Sequence, residues 1–189
     1  MQCRFADTTK EYLSRFYCIL DEMIWGMTSA ELNNSISHNF IVQMIPHHRA
    51  AIEMSENILK YTENASLQSI ASNIIEEQTK SIENMLGIEG KCSKLCNSKE
   101  DLCRFQGRMD QIMQIMFSEM KCARATNQLN CNFMWEMIPH HEGAVKMSMS
   151  TLKFHICPEL VPILQAIITS QKRGIEQMRQ LERRIGCTN

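Results

Sequence analysis

One phrase occurs twice in this chain, and nothing else in it restricts the fold as tightly. Met44-Ile45-Pro46-His47-His48, followed by Ala51 and Met54, returns as Met137-Ile138-Pro139-His140-His141, followed by Ala144 and Met147. The offset is 93 residues. Without a gap it also superposes Arg15 on Arg108, Phe40 on Phe133, Gln78 on Gln171, Glu83 on Glu176 and Met85 on Met178. A repeat on this scale implies an architecture built twice from one unit. What both copies keep is a pair of histidines flanked by methionines.

Four prolines and seven glycines in 189 residues, with apolar residues at helical spacing, predict an all-α fold. Each copy reads as three helices, over 7–27, 39–61 and 65–86, then over 99–125, 132–155 and 158–185. The expected organisation is a first repeat over 1–90 and a second over 91–189, packed as one bundle. The polar, glycine-containing stretch 87–98 serves as the linker. Asn39 and Asn132 stand where they could cap the second helix of each copy. Met109, Met113, Met116 and Met120 form one stripe that the first copy fills with Phe16, Leu20, Met23 and Met27, so that stripe reads mainly as core.

Taking about 100° per residue, Met44, His47, His48 and Met54 share one helical face about 120° wide, with Ala51 in its middle. Met137, His140, His141, Ala144 and Met147 repeat the face. Pro46 and Pro139 lie inside this helix, at a cost of about 3 kcal/mol each. Their retention suggests a use for the kink or for the freed carbonyl. On the third helix, Gln78 and Gln171 interrupt the apolar stripes Ile74, Ile82, Met85 and Ile167, Ile175, Met178. A buried amide needs a partner, and the expected one is a histidine ring nitrogen, whose tautomer it would fix. Glu83 and Glu176 point away, as surface charges.

Fifteen methionines, nine cysteines and six histidines make the chain rich in soft and borderline metal ligands. Cys92, Cys96 and Cys103 are a weaker metal candidate, because their spacing fits no tight zinc pattern and they cluster around the linker. An odd, scattered cysteine set beginning at Cys3, without an apolar secretion signal in Met1–Asp7, predicts free thiols and a cytoplasmic location, the alternative being an exported mature form whose signal has been removed. A net charge of -1 gives no footprint for nucleic acid, and no apolar run is long enough to span a membrane. The basic residues Lys172, Arg173, Arg179, Arg183 and Arg184 read as a solvated face near a helix C-terminus.

These residues resemble the family catalogued as domain of unknown function 305, a ferritin-like helical group of mostly bacterial proteins. Its core reads as a Phe, then Met-x-x-His-His-x-x-Ala-x-x-Met, then a later helix with Gln-x-x-Glu-Ile-x-x-Met. The chain supplies both parts twice, on Met44, His47, His48, Ala51, Met54, Gln78, Ile82 and Met85, and on Met137, His140, His141, Ala144, Met147, Gln171, Ile175 and Met178. The resemblance covers the second and third helices of each copy. It implies a ferritin-like bundle, with copper binding in some members and export in many. The chain departs from the pattern where Ser81 and Gly174 replace the glutamate, and where Asn39 and Asn132 replace an aspartate.

The leading expectation is a soft-metal binding protein for copper or silver. Its ligands are His47, His48, Met44, Met54, His140, His141, Met137 and Met147, with Met85 and Met178 as weaker candidates. Storage, buffering or resistance are the roles such a protein serves. Because ligation needs neutral imidazole, affinity is expected to collapse below about pH 6. A two-metal oxidase fits less well, since Met44 and Met137 occupy the positions where a Glu-x-x-His pair requires glutamate. The other alternative is a helical scaffold or partner-binding module in which the His-Gln network only specifies the core. No nucleophile–base pair or phosphate-cradling loop favours an enzyme. Repeats of this size can also pair between chains, so a homo-oligomer is an open expectation.

Overall fold

A computed structural model describes residues 5–187; Met1–Arg4, with Cys3, and Thr188–Asn189 lie outside the described residues. Six helices follow one another: α1 Asp7–Thr28, α2 Ile36–Leu59, α3 Ala65–Cys92, α4 Lys99–Lys121, α5 Leu129–Thr151 and α6 Leu160–Ile185. Within each half the second helix packs against the other two. The halves meet through α2 against α5 and α3 against α6. The described residues form an all-α bundle.

The stripe Phe16, Leu20, Met23 and Met27 is buried on α1, and Met109, Met113, Met116 and Met120 are buried on α4. Both halves therefore use the outer helix as a lid of packing side chains. The basic residues of α6 remain on the outside, where Arg173 pairs with Glu77 and Arg179 with Glu142.

Two local expectations are corrected. Asn39 and Asn132 are not caps, because each lies inside its helix. Ser35 caps α2 by accepting from the His38 backbone N–H at 3.3 Å. Asn39 instead holds the preceding loop, accepting from Asn33 N–H at 2.8 Å and donating to Asn33 O at 3.0 Å. Asn132 does the same with Thr126. The linker is also shorter than expected. Gly87 and Gly90 sit within α3, which continues to Cys92, and only 93–98 connect the halves. Helix is tolerated there because a glycine costs only about 1 kcal/mol, and the packed end of α3 at Cys92 is fully buried.

Asn97 in that connection fastens three loops. Its N–H donates to Asn34 O, its amide oxygen accepts from Ile36 N–H, and its amide nitrogen donates to His155 O. Pro46 runs inside an unbroken α2, and its ring lies against α1 at Gly26, where a Cβ would approach to 2.8 Å. Any side chain at position 26 would push the two helices apart.

Candidate metal centre

The face carrying Met44, His47, His48, Ala51 and Met54 turns inward on α2, and α5 presents Met137, His140, His141, Ala144 and Met147 to meet it. All ten side chains are buried. Small Ala51 and Ala144 let these helices approach. Where they do, the rings of His47 and His140 stack with centroids 3.6 Å apart and planes 26° apart. His47 Nε2 donates to the His140 carbonyl at 3.2 Å, and His140 Nε2 donates to the His47 carbonyl at 3.0 Å. The carbonyls in use are thus those of the residues after the prolines, not those of Val42 and Trp135 that the prolines leave unpaired.

A carbonyl oxygen can only accept, so each of these Nε2 atoms carries the proton. Each Nδ1 is then a bare lone pair. All four Nδ1 atoms, on His47, His48, His140 and His141, are buried without a hydrogen-bond partner. His48 and His141 flank the stacked pair, each 5.8 Å from its sequence neighbour by ring centroids.

Burial makes the charged form costly for every ring. It takes the His48 pKa down to about 3 and that of His140 to about 4. It holds His47 and His141 well below the usual range too, with neighbouring imidazoles adding to the effect. Burial thus opposes protonation of these rings near pH 6, where the expected loss of affinity was placed.

The expected partnership of Gln78 and Gln171 with the histidines is also corrected. Both amides are buried, yet their Oε1 atoms have no partner. His48 Nε2 bonds instead to Ser81 Oγ at 2.9 Å, because one further turn of α3 brings position 81 over the ring. In the second half the same position is Gly174. A Cβ there would lie 3.0 Å from His141 Cδ2 and Nε2, so that ring fills the space a side chain would need.

Met85 and Met178 are buried on α3 and α6. The cysteine expectations fare differently. Cys92 is bonded to Cys157, with Cα atoms 5.3 Å apart, and Cys131 is bonded to Cys187, with Cα atoms 5.6 Å apart. The expectation of free thiols throughout is therefore wrong for these four. Packing brings together partners 65 and 56 residues apart, which no local spacing reveals. Cys96 and Cys103 are exposed free thiols, and Cys92, Cys96 and Cys103 do not form one thiol site.

Sequence reasoning missed a buried carboxyl. Glu136 lies on α5 one turn before His140 and accepts a 2.5 Å hydrogen bond from the Tyr12 hydroxyl of α1. Burial pushes its carboxyl well above the ordinary range, against the opposing pull of that hydrogen bond. Its i, i+4 relation to His140 was the available signal. The equivalents at the 93-residue offset are Gln43 for Glu136 and Phe105 for Tyr12, so the repeat itself gave no hint of this pair.

The donor set suits a soft or borderline cation: imidazoles with bare nitrogens and buried thioethers. Among the described residues no three histidines each bring a ring nitrogen within 4.8 Å of the others. Methionine sulfur is the other soft donor available to an ion at this centre. Met44, Met54, Met137 and Met147 are the residues on the right faces to supply it.

Six helices around four buried imidazoles and a set of inward methionines define a helical bundle with a soft-ligand core. The chain belongs to the family described as domain of unknown function (DUF305), which matches residues 37–182. Among solved structures it is similar to CopM in the Ag-bound form obtained by soaking, at 27% identity and a TM-score of 0.59, covering 78% of this chain and 95% of that one. It is similar to CopM in the Cu(I)-bound form at 29% identity and a TM-score of 0.57, covering 78% and 96%. A DUF305 fragment from Deinococcus radiodurans has the same fold at 23% identity and a TM-score of 0.57, covering 79% and 96%. A comparison with curated proteins gives no match.

Proposed function

We propose that this chain binds copper(I) or silver(I) at the crossing of α2 and α5. His47, His48, His140 and His141 would give nitrogen and Met44, Met54, Met137 and Met147 sulfur. The observation that carries the reading is the reciprocal His47–His140 arrangement. It commits both Nε2 atoms to carbonyls and leaves both Nδ1 lone pairs buried, neutral and unpartnered. Orphaned acceptors of this kind cost about 1–3 kcal/mol each unless something occupies them. The likeness to CopM structures holding Cu(I), Cu(II) and Ag supports the same cation class.

The reading extends to a role in metal storage, buffering or resistance. It extends also to a ferritin-like bundle formed by tandem duplication, with copies over 1–90 and 91–189. Contacts between positions 93 residues apart support the duplication. The two disulfides fit an oxidising compartment and take away the free-thiol support for a cytoplasmic location.

A second reading has its own support. Stacking and reciprocal hydrogen bonds would by themselves fix the register of α2 on α5, as a purely structural polar core. One experiment separates the two. The protein is titrated with Cu(I) against a competing chelator, beside a variant with Met44, Met54, Met137 and Met147 all changed to leucine, a swap of similar volume that preserves the fold. A second variant changes the four histidines to alanine, with circular dichroism to check folding. Tight binding that weakens at least about tenfold, or about 1.4 kcal/mol, in the folded leucine variant supports the metal centre. Absence of tight binding in the parent leaves the structural core. Light scattering on the same samples reads whether chains pair.

A further inference from the structure

Four rings this deeply buried pose a question of access: a cation must cross protein to reach them. A cleft of about 630 Å³ runs between α3 and α6, and His48 lies at its floor. Ser81, on the α3 wall, lines the same cleft and holds His48 Nε2 by its hydroxyl. Gln78 from α3 and Gln171 from α6 line it from opposite sides, each buried with an unpartnered amide oxygen. Such oxygens are pure acceptors on the same lining as His48. At the rim Arg173 of α6 donates to Glu77 of α3 across the opening, with Glu76 and Lys80 beside them.

We infer that the α3–α6 cleft is the route by which a soft cation enters and leaves the core, with the Ser81–His48 hydrogen bond as its inner gate. The inference rests on the proposed metal centre and adds to it a path and a first acceptor, His48. The amide oxygens of Gln78 and Gln171 replace part of the hydration that the ion sheds in the cleft. Ser81 keeps the His48 ring turned to the cleft floor until the hydrogen bond breaks. The second half has no such gate, because Gly174 presents only backbone to the His141 ring.

The test measures rates rather than affinity. Cu(I) uptake from a chromogenic chelator, and release to an excess of a second one, are followed by stopped flow. The proteins are the parent, Ala166→Trp, Ser81→Ala and Ser69→Leu. Ala166 is exposed on the α6 wall of the cleft, so tryptophan there fills part of it. Ser69 lies on α3 outside the cleft. Uptake and release are expected to slow together by about tenfold or more in Ala166→Trp, with stoichiometry and affinity unchanged, as gating requires. Ser81→Ala removes the gate's hydrogen bond without adding bulk and speeds both, and Ser69→Leu leaves both at the parent values. Rates that Ala166→Trp does not alter, in a protein that still binds Cu(I) tightly, overturn the route alone. A parent that takes up no Cu(I) overturns the metal centre and the route together.

Discussion

His47 and His140 lie 93 residues apart, stack face to face at 3.6 Å, and each donates its Nε2 proton to the other's carbonyl. The pair ties the middle of α2 to the middle of α5, so each ring is at once a packing element and half of a reciprocal clasp. His47→Ala removes one ring and one donor, and leaves the His140 carbonyl without its partner. The expected loss is about 2–4 kcal/mol of unfolding free energy by urea denaturation. Adding His140→Ala should cost less than a second equal increment, since the ring stack is already gone and only the His140 Nε2 bond to the backbone carbonyl of position 47 remains to be lost. A single-variant loss below about 0.5 kcal/mol would sink the clasp as a stabilising element.

Acid should destabilise the fold before it neutralises the carboxylates. The folded pKa values of His48 and His140, about 3 and about 4, lie below the ordinary 6.5. Below pH 6.5 the unfolded chain thus binds protons that the folded chain refuses. Stability is fully present above 6.5 and falls as pH drops toward 4, at on the order of 1 kcal/mol per pH unit for each ring. Thermal melts between pH 4 and 7.5 test this. A flat profile over that window contradicts buried neutral imidazoles. Copper affinity, by the same logic, should persist below pH 6 for as long as the protein stays folded.

Glu136 acts in the opposite sense. Its folded pKa is raised from 4.5, so between that value and its folded pKa the folded state holds a proton that the unfolded state has lost. Its contribution to stability therefore declines as pH rises. Glu136→Gln keeps an acceptor for the Tyr12 hydroxyl, removes the titration, and matches Gln43 at the equivalent position. The variant should gain stability over the parent as pH rises above 4.5, read as a widening gap in Tm. Tyr12→Phe orphans the carboxyl and should cost about 1–3 kcal/mol. Equal pH slopes in Glu136→Gln and parent would show that the carboxyl does not titrate in a buried state.

The two disulfides close loops with sequence separations of 65 and 56. Chain-entropy estimates put each at about 4 kcal/mol, with about 2–4 kcal/mol typical in practice. Peptide mapping under non-reducing conditions should recover Cys92 linked to Cys157 and Cys131 linked to Cys187. Reduction should lower Tm substantially. Recovery of Cys131 or Cys187 as a free alkylated thiol would contradict the second link.

The sequence by itself determined the six helices, because helical periodicity is set by residues three or four apart, although it misplaced the caps at Asn39 and Asn132. Boundaries read from that spacing differ from the observed ones chiefly at α3, where the end of the helix is held by a buried cysteine rather than stopped by Gly87 or Gly90. The shared inward face of Met44, His47, His48 and Met54 was legible for the same reason, and so was the packing role of Met109, Met113, Met116 and Met120. Only the tertiary structure decided who meets whom across the bundle. Ser81 rather than Gln78 holds His48, because one helical step on α3 places a hydroxyl over the ring. Glu136 finds Tyr12 at a separation of 124 residues, and Cys92 finds Cys157 at 65. Such partners are selected by how helices of the two halves dock, and docking responds to the summed shape of whole faces. No single residue's neighbourhood in the chain contains that information.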